Sequence, residues 1–413
     1  MTGINYYTTT TKSIGGKIKK RVSDFIVKEI SVDGKVFDII CFNDNVVSQP
    51  KIFVPNNENN FSYLHLTLEK FNLDTHEAIR RLCRILRFSK KRVGYAGLKD
   101  RRAITSQRIS LWKPDLKLLE NFRSRYVALH SPEWSQNRVE IGSLKGNFFE
   151  ITIREISLPE DELRQVVEEC FRQMSFGVAN YFGEQRFGGS REITHLVGKE
   201  FIKGNMESAV MLYLTSPSKE EPEIALARKN LLESRDFKRA LREFPKKFRY
   251  ERIILHHLVK YPRDFVGAFQ KLPKHLAYLF THAYQSYLFN LVINERIRAG
   301  FGLKPIEGDF LTDDVPLGPL FGFDLELAKG KAGEIEKKVL ESEGITLEDF
   351  KVRSYPELSC KGARKKISVV PKDLKIIGIC KDDFSEGKLK LKISFWLEKG
   401  NYATTILREL TKN

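Results

Sequence analysis

Alternating apolar and polar positions mark β-strands at both ends of the chain. Residues 21–30 (RVSDFIVKEI) and 61–69 (FSYLHLTLE) change character at almost every second position, and residues 389–397 (LKLKISFWL) do the same near the C-terminus. A period of two places successive side chains on opposite faces of a sheet. The pattern therefore predicts strands in the first and the last parts of the chain.

Helical periodicity separates these strands. Asp74 followed by Glu77 is a capping-box signature, and apolar residues at helical spacing come directly after it. Residues 159–174 repeat their apolar positions every three or four residues, as a half-buried helix does. Two amphipathic helices are therefore predicted within the strand-rich N-terminal part.

The middle of the chain changes character. Residues from about 180 to 370 contain helical stretches rich in Lys, Arg and Glu, including a long helix predicted over residues 275–299. A strand-rich start, a helical middle and a strand-rich end predict an α+β protein with a mixed, mainly antiparallel sheet flanked by helices. We expect residues 1–175 and 371–413 to form this discontinuous domain, with an α+β, mainly helical domain inserted at 176–370.

Charge narrows the possible partners. The 413 residues include 70 Lys and Arg against 53 Asp and Glu, a net charge of +17. Such an excess favours polyanions, either nucleic acid or an anionic membrane surface. No stretch is long and apolar enough to span a membrane, and the N-terminus has no signal core. Five dispersed cysteines without a C-x-x-C pair predict a cytoplasmic protein with reduced thiols and no structural metal.

One acidic residue stands alone in a strongly basic segment. Residues 84–108 contain nine Lys and Arg but a single acid, Asp100. Nearby cations favour the ionised carboxylate. A carboxylate repels the phosphates that its neighbours attract, so Asp100 suits a nucleophile or base acting on a bound nucleotide. The alternative is a solvated turn in which Asp100 forms a surface ion pair.

Five segments together resemble one enzyme family. Residues 94–107 (GYAGLKDRRAITSQ) are similar to the signature A-G-x-K-D-x-x-A-x-T-x-Q of the TruD family of pseudouridine synthases. Residues 16–30, 142–149 (GSLKGNFF), 180–188 (NYFGEQRFG) and 400–409 (GNYATTILRE) resemble further motifs of that family, in the same order. The resemblance extends over nearly the whole chain.

This resemblance implies a reaction and a fold. The reaction is isomerisation of a uridine in RNA, in which the bond from C1′ to N1 breaks and one from C1′ to C5 forms, without cofactor or metal. Asp100 takes the place of the family's catalytic aspartate. It can attack C1′ or C6, or remove a proton to form a glycal, and the sequence does not decide between these. The implied fold is of the pseudouridine-synthase type.

The motif matches also suggest residues for binding the nucleotide. A flipped uracil needs an aromatic wall and polar partners, for which we expect Phe149 and Asn147, although Phe149 also suits the core of a strand. Lys19 is expected to reach a phosphate or Asp100, Gln107 to orient the Asp100 loop, and Arg408 to pair with Asp100, a phosphate or the helix dipole. The complete set of expected RNA-binding residues is Lys19, Phe25, Lys99, Arg101, Gln107, Asn147, Phe149, Phe182, Arg186 and Arg408.

Phe182 and Arg186 belong to the glycine-containing 180–188 motif. Interleaved aromatic and Arg side chains suit RNA contact, whereas a hinge or structural corner is the competing interpretation. By resemblance the substrate is tRNA and the target U13 near the D arm, with RNA in a cleft between the domains. We infer no membrane and no obligatory protein partner. A basic RNA-binding module does not require the isolated Asp100, and an enzyme for a small phosphorylated substrate would show a compact phosphate loop.

Overall fold

The structure is a computed structural model, and it describes residues 2–43, 49–57, 59–189, 191–217 and 220–412. The chain divides into two compact units. The first, called the sheet unit below, comprises Thr8–Gly177 and Val370–Asn413. The second, the helical unit, comprises Met1–Tyr7 and Val178–Val369.

Strands and helices follow one another along the described chain. The strands are β1 (Phe25–Ile30), β2 (Tyr63–Phe71), β3 (Val93–Tyr95), β4 (Ile104–Trp112), β5 (Val127–Ser135), β6 (Gly146–Ile156), β7 (Val178–Ala179), β8 (Phe310–Thr312), β9 (Val315–Leu320), β10 (Ala363–Lys366), β11 (Ser368–Val369), β12 (Lys372–Lys381) and β13 (Leu389–Glu398). The α-helices are α1 (Thr75–Ile85), α2 (Leu116–Glu120), α3 (Glu160–Met174), α4 (Thr194–Ile202), α5 (Met206–Thr215), α6 (Pro222–Ser234), α7 (Phe237–Glu243), α8 (Arg249–Lys260), α9 (Phe265–Gln270), α10 (Lys274–Arg298), α11 (Gly330–Glu343) and α12 (Ala403–Thr411).

The sheet unit is built on one mixed sheet. Its strands lie in the order β12, β13, β6, β1, β4, β2, β5, and β3 also pairs with β4. Strands β1 and β4 run parallel, and the other strand pairs of this sheet in the described chain are antiparallel. The C-terminal strands β12 and β13 thus complete a sheet begun by the N-terminal part. The predicted mixed, mainly antiparallel sheet is confirmed.

One row of side chains crosses five neighbouring strands. Val27 on β1 is paired with Thr105 on β4 and with Phe149 on β6. The same row continues from Thr105 to Lys70 on β2 and from Phe149 to Phe395 on β13. Residues paired directly across a sheet project to the same side, so these five share one face, called the site face below.

Helix α1 packs against the site face of the sheet. It begins where sequence predicted, because the Asp74 side chain accepts a hydrogen bond of 2.8 Å from the Glu77 amide. Its apolar stripe, with Ala78 and Leu82, joins a buried cluster that contains Leu68 of β2. This packing fixes the first turn of α1 beside the β3–β4 connection.

The helical unit is organised around α10, which extends over nearly the residues predicted for it. Helix α4 crosses α10 at close range at Gly198. A Cβ atom there would lie 2.1 Å from the carbonyl oxygen of Phe280, so only glycine permits this approach. Two small sheets, β10–β9–β8 and β7–β11, complete the unit.

The N-terminal residues depart from the predicted division of the chain. We expected them in the sheet domain, whereas Met1–Tyr7 belong to the helical unit. Asn290 and Asn294 of α10 donate hydrogen bonds to the carbonyl oxygens of Thr2 and Gly3, at 3.1 and 3.0 Å. Such side-chain bonds to backbone leave no periodic trace in the sequence, so the pattern could not predict them.

Candidate active site

The loop that carries Asp100 connects β3 to β4 and is fixed from two sides. Thr75, the first residue of α1, accepts a hydrogen bond of 3.0 Å from the backbone amide of Lys99 through its Oγ1. Gln107 on β4 donates from Nε2 to the carbonyl oxygen of Gly97 at 3.1 Å. The Thr75 hydroxyl also donates to Gln107 Oε1 at 3.3 Å. Gln107 thus contacts the Asp100 loop directly, and its orienting role stays a prediction.

The Asp100 carboxylate is paired yet accessible. Its Oδ1 lies 2.9 Å from Lys19 Nζ, and the Asp100 side chain is 35% exposed. Lys19 Nζ also lies 4.0 Å from the ring centroid of Phe25. Lys19 has a φ of +57°, in the left-handed region that costs a side-chain-bearing residue free energy. The surrounding structure therefore holds Lys19 in a strained conformation at the carboxylate.

The main chain of Asp100 has its own cationic partner, which sequence reasoning missed. Lys70 Nζ donates a hydrogen bond to the carbonyl oxygen of Asp100. Burial lowers the pKa of Lys70 to about 7. A signal was present in the sequence: Lys70 occupies the next position in the phase of Leu64, Leu66 and Leu68, where an inward-facing apolar residue is expected.

Lys99, the residue before Asp100, points into the protein. Its ammonium group lies 2.7 Å from Glu29 Oε2 and donates to Asn147 Oδ1 at 2.6 Å. The side chains of Lys99 and Glu29 are almost fully enclosed. Glu29 Oε1 also accepts a bond of 3.0 Å from the Arg108 amide. This network ties the Asp100 loop to β1, β4 and β6, and Glu29 is a second residue whose contact sequence reasoning missed.

Three aromatic rings lie side by side on the site face. Phe149 is only 4% exposed, with its ring centroid 5.4 Å from that of Phe395 in a stacked arrangement. Phe25 meets Phe149 edge to face at 6.3 Å. Asn147, two residues from Phe149 on β6, is partly exposed. Phe25 and Phe395 are 2% and 0% exposed, so all three rings belong to the core beneath the polar groups around Asp100.

The nine cations of residues 84–108 divide into two sets. Four of them have structural partners: Lys99 pairs with Glu29, Arg102 donates to the Lys20 carbonyl, Arg92 donates to the Trp112 carbonyl, and the Arg108 side chain contacts Glu133. The other five are exposed and, within the described residues, have no ion-pair partner. These are Arg84, Arg87, Lys90, Lys91 and Arg101.

The remaining expected RNA-binding residues belong to other elements of the chain. Arg408 is on α12, with its guanidinium 3.9 Å from Glu409 Oε1. Phe182 and Arg186 belong to the helical unit. Phe182 is buried edge-to-face against Phe289, and Arg186 donates from Nε to Ser286 Oγ at 3.0 Å. These contacts give the 180–188 motif a structural role in its own unit.

One buried cluster has the chemistry of metal ligands. Cys41, Glu69 and His130 place one ligand atom each within 4.8 Å of the others, and among the described residues this is the group that could hold an ion. Glu69 accepts hydrogen bonds from the amides of Ile40 and Cys41, and His130 Nε2 lies 2.8 Å from it. Burial raises the pKa of the Cys41 thiol to about 12, which keeps it protonated. The carboxylate thus has protein partners, and the absence of a metal stays a prediction.

None of the helices in the described chain is both long enough and apolar enough to cross a membrane. An accessible carboxylate among cations, on a mixed sheet, is an arrangement expected of an enzyme that acts on a polyanionic substrate. Comparison with known proteins gives the family.

The family model for tRNA pseudouridine synthase D (TruD) matches residues 1–316 and 312–410. A relative from Methanosarcina acetivorans, described as a probable tRNA pseudouridine synthase D, is 38% identical over 99% of this chain and 96% of its own. One from Methanopyrus kandleri with the same description is 43% identical over 83% of this chain and 84% of its own.

A solved structure gives the same result. The crystal structure of a TruD protein from Methanosarcina mazei superimposes with a TM-score of 0.81 at 35% identity, covering 100% of this chain and 97% of that one. The chain belongs to the TruD family of tRNA pseudouridine synthases.

Proposed function

We propose that this protein converts a uridine of tRNA, U13 near the D arm, into pseudouridine, with Asp100 as the catalytic residue. Membership of the TruD family supports the reaction and the class of substrate. The C1′–N1 bond breaks, the C1′–C5 bond forms, and the proton on C5 passes to solvent while N1 gains one. The product is an isomer of the substrate, so no oxidant or reductant is consumed.

The observation that carries the role of Asp100 is its combination of anchoring and access. The loop is fixed through Thr75 and Gln107, whereas the carboxylate itself remains partly exposed. Reactions at a sugar carbon or a pyrimidine ring depend on a reacting group held at a defined position. Attack on C1′, attack on C6 and proton removal to a glycal all require a carboxylate, and Lys19 is the ion-pair partner of this one.

The neighbouring groups suit the uracil ring once it leaves the stack. We place its polar edge against Asn147, whose orientation is fixed by the bond from Lys99. Phe25, Phe149 and Phe395 are buried beside that position, at 2%, 4% and 0% exposure, and they support the sheet beneath it. A polar partner for the edge of the base is one requirement of a pocket for an extruded nucleotide. Exposed Arg101, directly after Asp100, is placed to contact the flanking phosphate.

The test is release of tritium from tRNA labelled at C5 of uridine. Wild type should release it, and Asp100→Asn, which keeps the shape and removes the carboxylate, should release none while binding tRNA normally. Asp161→Asn, an exposed substitution in the first turn of α3, is the matched control and should behave as wild type. Release by Asp100→Asn at the wild-type rate would refute the catalytic assignment.

The position of the target requires a separate experiment. A tRNA with cytidine in place of U13, labelled at its other uridines, should give no release with the wild-type protein. Release from that tRNA would assign the reaction to another position. Binding of tRNA without any release by wild type would instead favour a non-catalytic RNA-binding protein.

A further inference from the structure

Lys70 is the one lysine of β2 that faces the Asp100 loop, and it is fully buried. It lies directly across from Thr105 in the register of β2 and β4, on the site face. From there its ammonium group donates to the carbonyl oxygen of Asp100. Lys19 contacts the side chain of Asp100, and the buried Lys70 contacts its main chain.

The surroundings of Lys70 make a charged side chain energetically unfavourable at this position. The charged groups that act on it are the carboxylates of Asp100 and Asp74 and the ammonium groups of Lys99 and Lys19. Burial has the largest effect, and the two lysines add to it, so the pKa falls to about 7 despite the two carboxylates. An apolar side chain would continue the leucine phase of β2 without this cost.

We infer that Lys70 is a positioning residue, which fixes the peptide of Asp100 so that its carboxylate is presented to the substrate. This inference rests on the proposed function. A fully buried side chain cannot reach RNA, so Lys70 acts on turnover through Asp100. A charged donor forms a stronger hydrogen bond to a carbonyl than a neutral one. The hydrogen bond from Lys70 to the Asp100 carbonyl is therefore strongest while Lys70 is protonated.

This role predicts a pH dependence with a definite sign. Lys70 is an ammonium group below about pH 7 and an amine above it. The rate of the chemical step should therefore fall as the pH rises through this range. Affinity for tRNA should not follow the same curve, because Lys70 makes no contact with solvent.

The experiment measures single-turnover tritium release and tRNA affinity for Lys70→Met and Lys70→Gln, with Asp100→Asn in parallel. Lys70→Met removes charge and donor and should slow release about tenfold or more with an unchanged Kd. Lys70→Gln keeps a neutral donor, so its rate should lie between those of wild type and Lys70→Met. That rate should no longer decline as the pH rises through 7. Lys365→Gln is the matched control, because burial also lowers the pKa of Lys365 to about 7 and it lies in the helical unit. It should keep the decline.

Thermal melting separates this role from a structural one. A lysine with a lowered pKa opposes folding below its ordinary pKa, so Lys70→Met should melt no lower than wild type at pH 6. If Lys70→Met does melt lower than wild type, the rate and pH profile of Lys70→Gln distinguish a positioning role from a structural one. Wild-type turnover in both variants, a change in Kd without a change in rate, or a decline near pH 7 that persists in Lys70→Gln would each overturn the inference. Full activity of Asp100→Asn would instead refute the proposed function itself.

Discussion

The two ends of the basic segment 84–108 carry the same sign of charge but use it differently. At one end, Arg84, Arg87, Lys90 and Lys91 are exposed and, within the described chain, have no ion-pair partner. At the other end, Lys99 is enclosed and bound to Glu29 and Asn147. Thr75 at the start of α1 contacts the Lys99 amide, whereas Arg84 lies in the last turn of the same helix. The 11 residues of α1, about 16 Å in length, therefore separate the two kinds of cation.

This difference separates two tasks of a cation in an RNA-modifying enzyme. An exposed, flexible cation contributes long-range attraction and contact with phosphates, and its effect falls with salt. An enclosed cation with fixed partners contributes geometry, because its hydrogen bonds hold loops and side chains in place. Charge counted along the sequence cannot distinguish the two, whereas burial and partners do.

The largest effect should come from replacing the enclosed cation, Lys99. Lys99→Met leaves Glu29 buried without its cation, which we expect to cost about 3–5 kcal/mol in the free energy of unfolding. Urea denaturation monitored by fluorescence measures it. The double variant Lys99→Met with Glu29→Gln removes both charges and should recover part of the loss. Equal destabilisation by the single and double variants would show that the pair is not coupled.

An intermediate effect is expected at Lys19. Lys19→Met removes the partner of the Asp100 carboxylate, and we expect turnover to fall by about 100-fold, the lower end of the range for a lost electrostatic contact in an active site. Lys20→Met is the neighbouring control, since Lys20 pairs with Glu155 instead. Single-turnover tritium release compares them. If the two variants lose activity equally, the contribution of Lys19 is general charge and not its contact with Asp100.

Sequence reasoning correctly predicted the sheet and the long helix, and it singled out Asp100 as a candidate, because each leaves a local or periodic signal. Strand alternation predicts β1 and β13, and the isolated acid among cations points to Asp100. It could not predict that Lys99 turns inward to Glu29, since that contact depends on the pairing of β1 with β4 and β6. Lys70 was overlooked although it follows Leu64, Leu66 and Leu68 at the same alternating positions of β2, where another apolar residue would be expected. A charge in an apolar phase is therefore a signal for a buried polar contact.

The smallest effect should come from replacing two of the exposed cations, Lys90 and Lys91. The double variant Lys90→Ala with Lys91→Ala removes two exposed cations that no described carboxylate needs, so the fold and the chemical step should be unchanged. If both contact phosphates, the slope of log Kobs for tRNA against log salt should become shallower by about 1.4–1.8, since each lost phosphate contact contributes about 0.7–0.9.

Filter binding across a range of salt concentrations measures this slope for the Lys90 and Lys91 variant. Lys12→Ala is the control, because this exposed lysine is paired with Glu162 on α3 and its loss should leave the slope near that of wild type. A slope unchanged in the double variant would mean that tRNA does not reach the end of α1. The RNA contact would then be confined to the immediate surroundings of Asp100, and Arg101 would be the exposed cation of this segment that matters for binding.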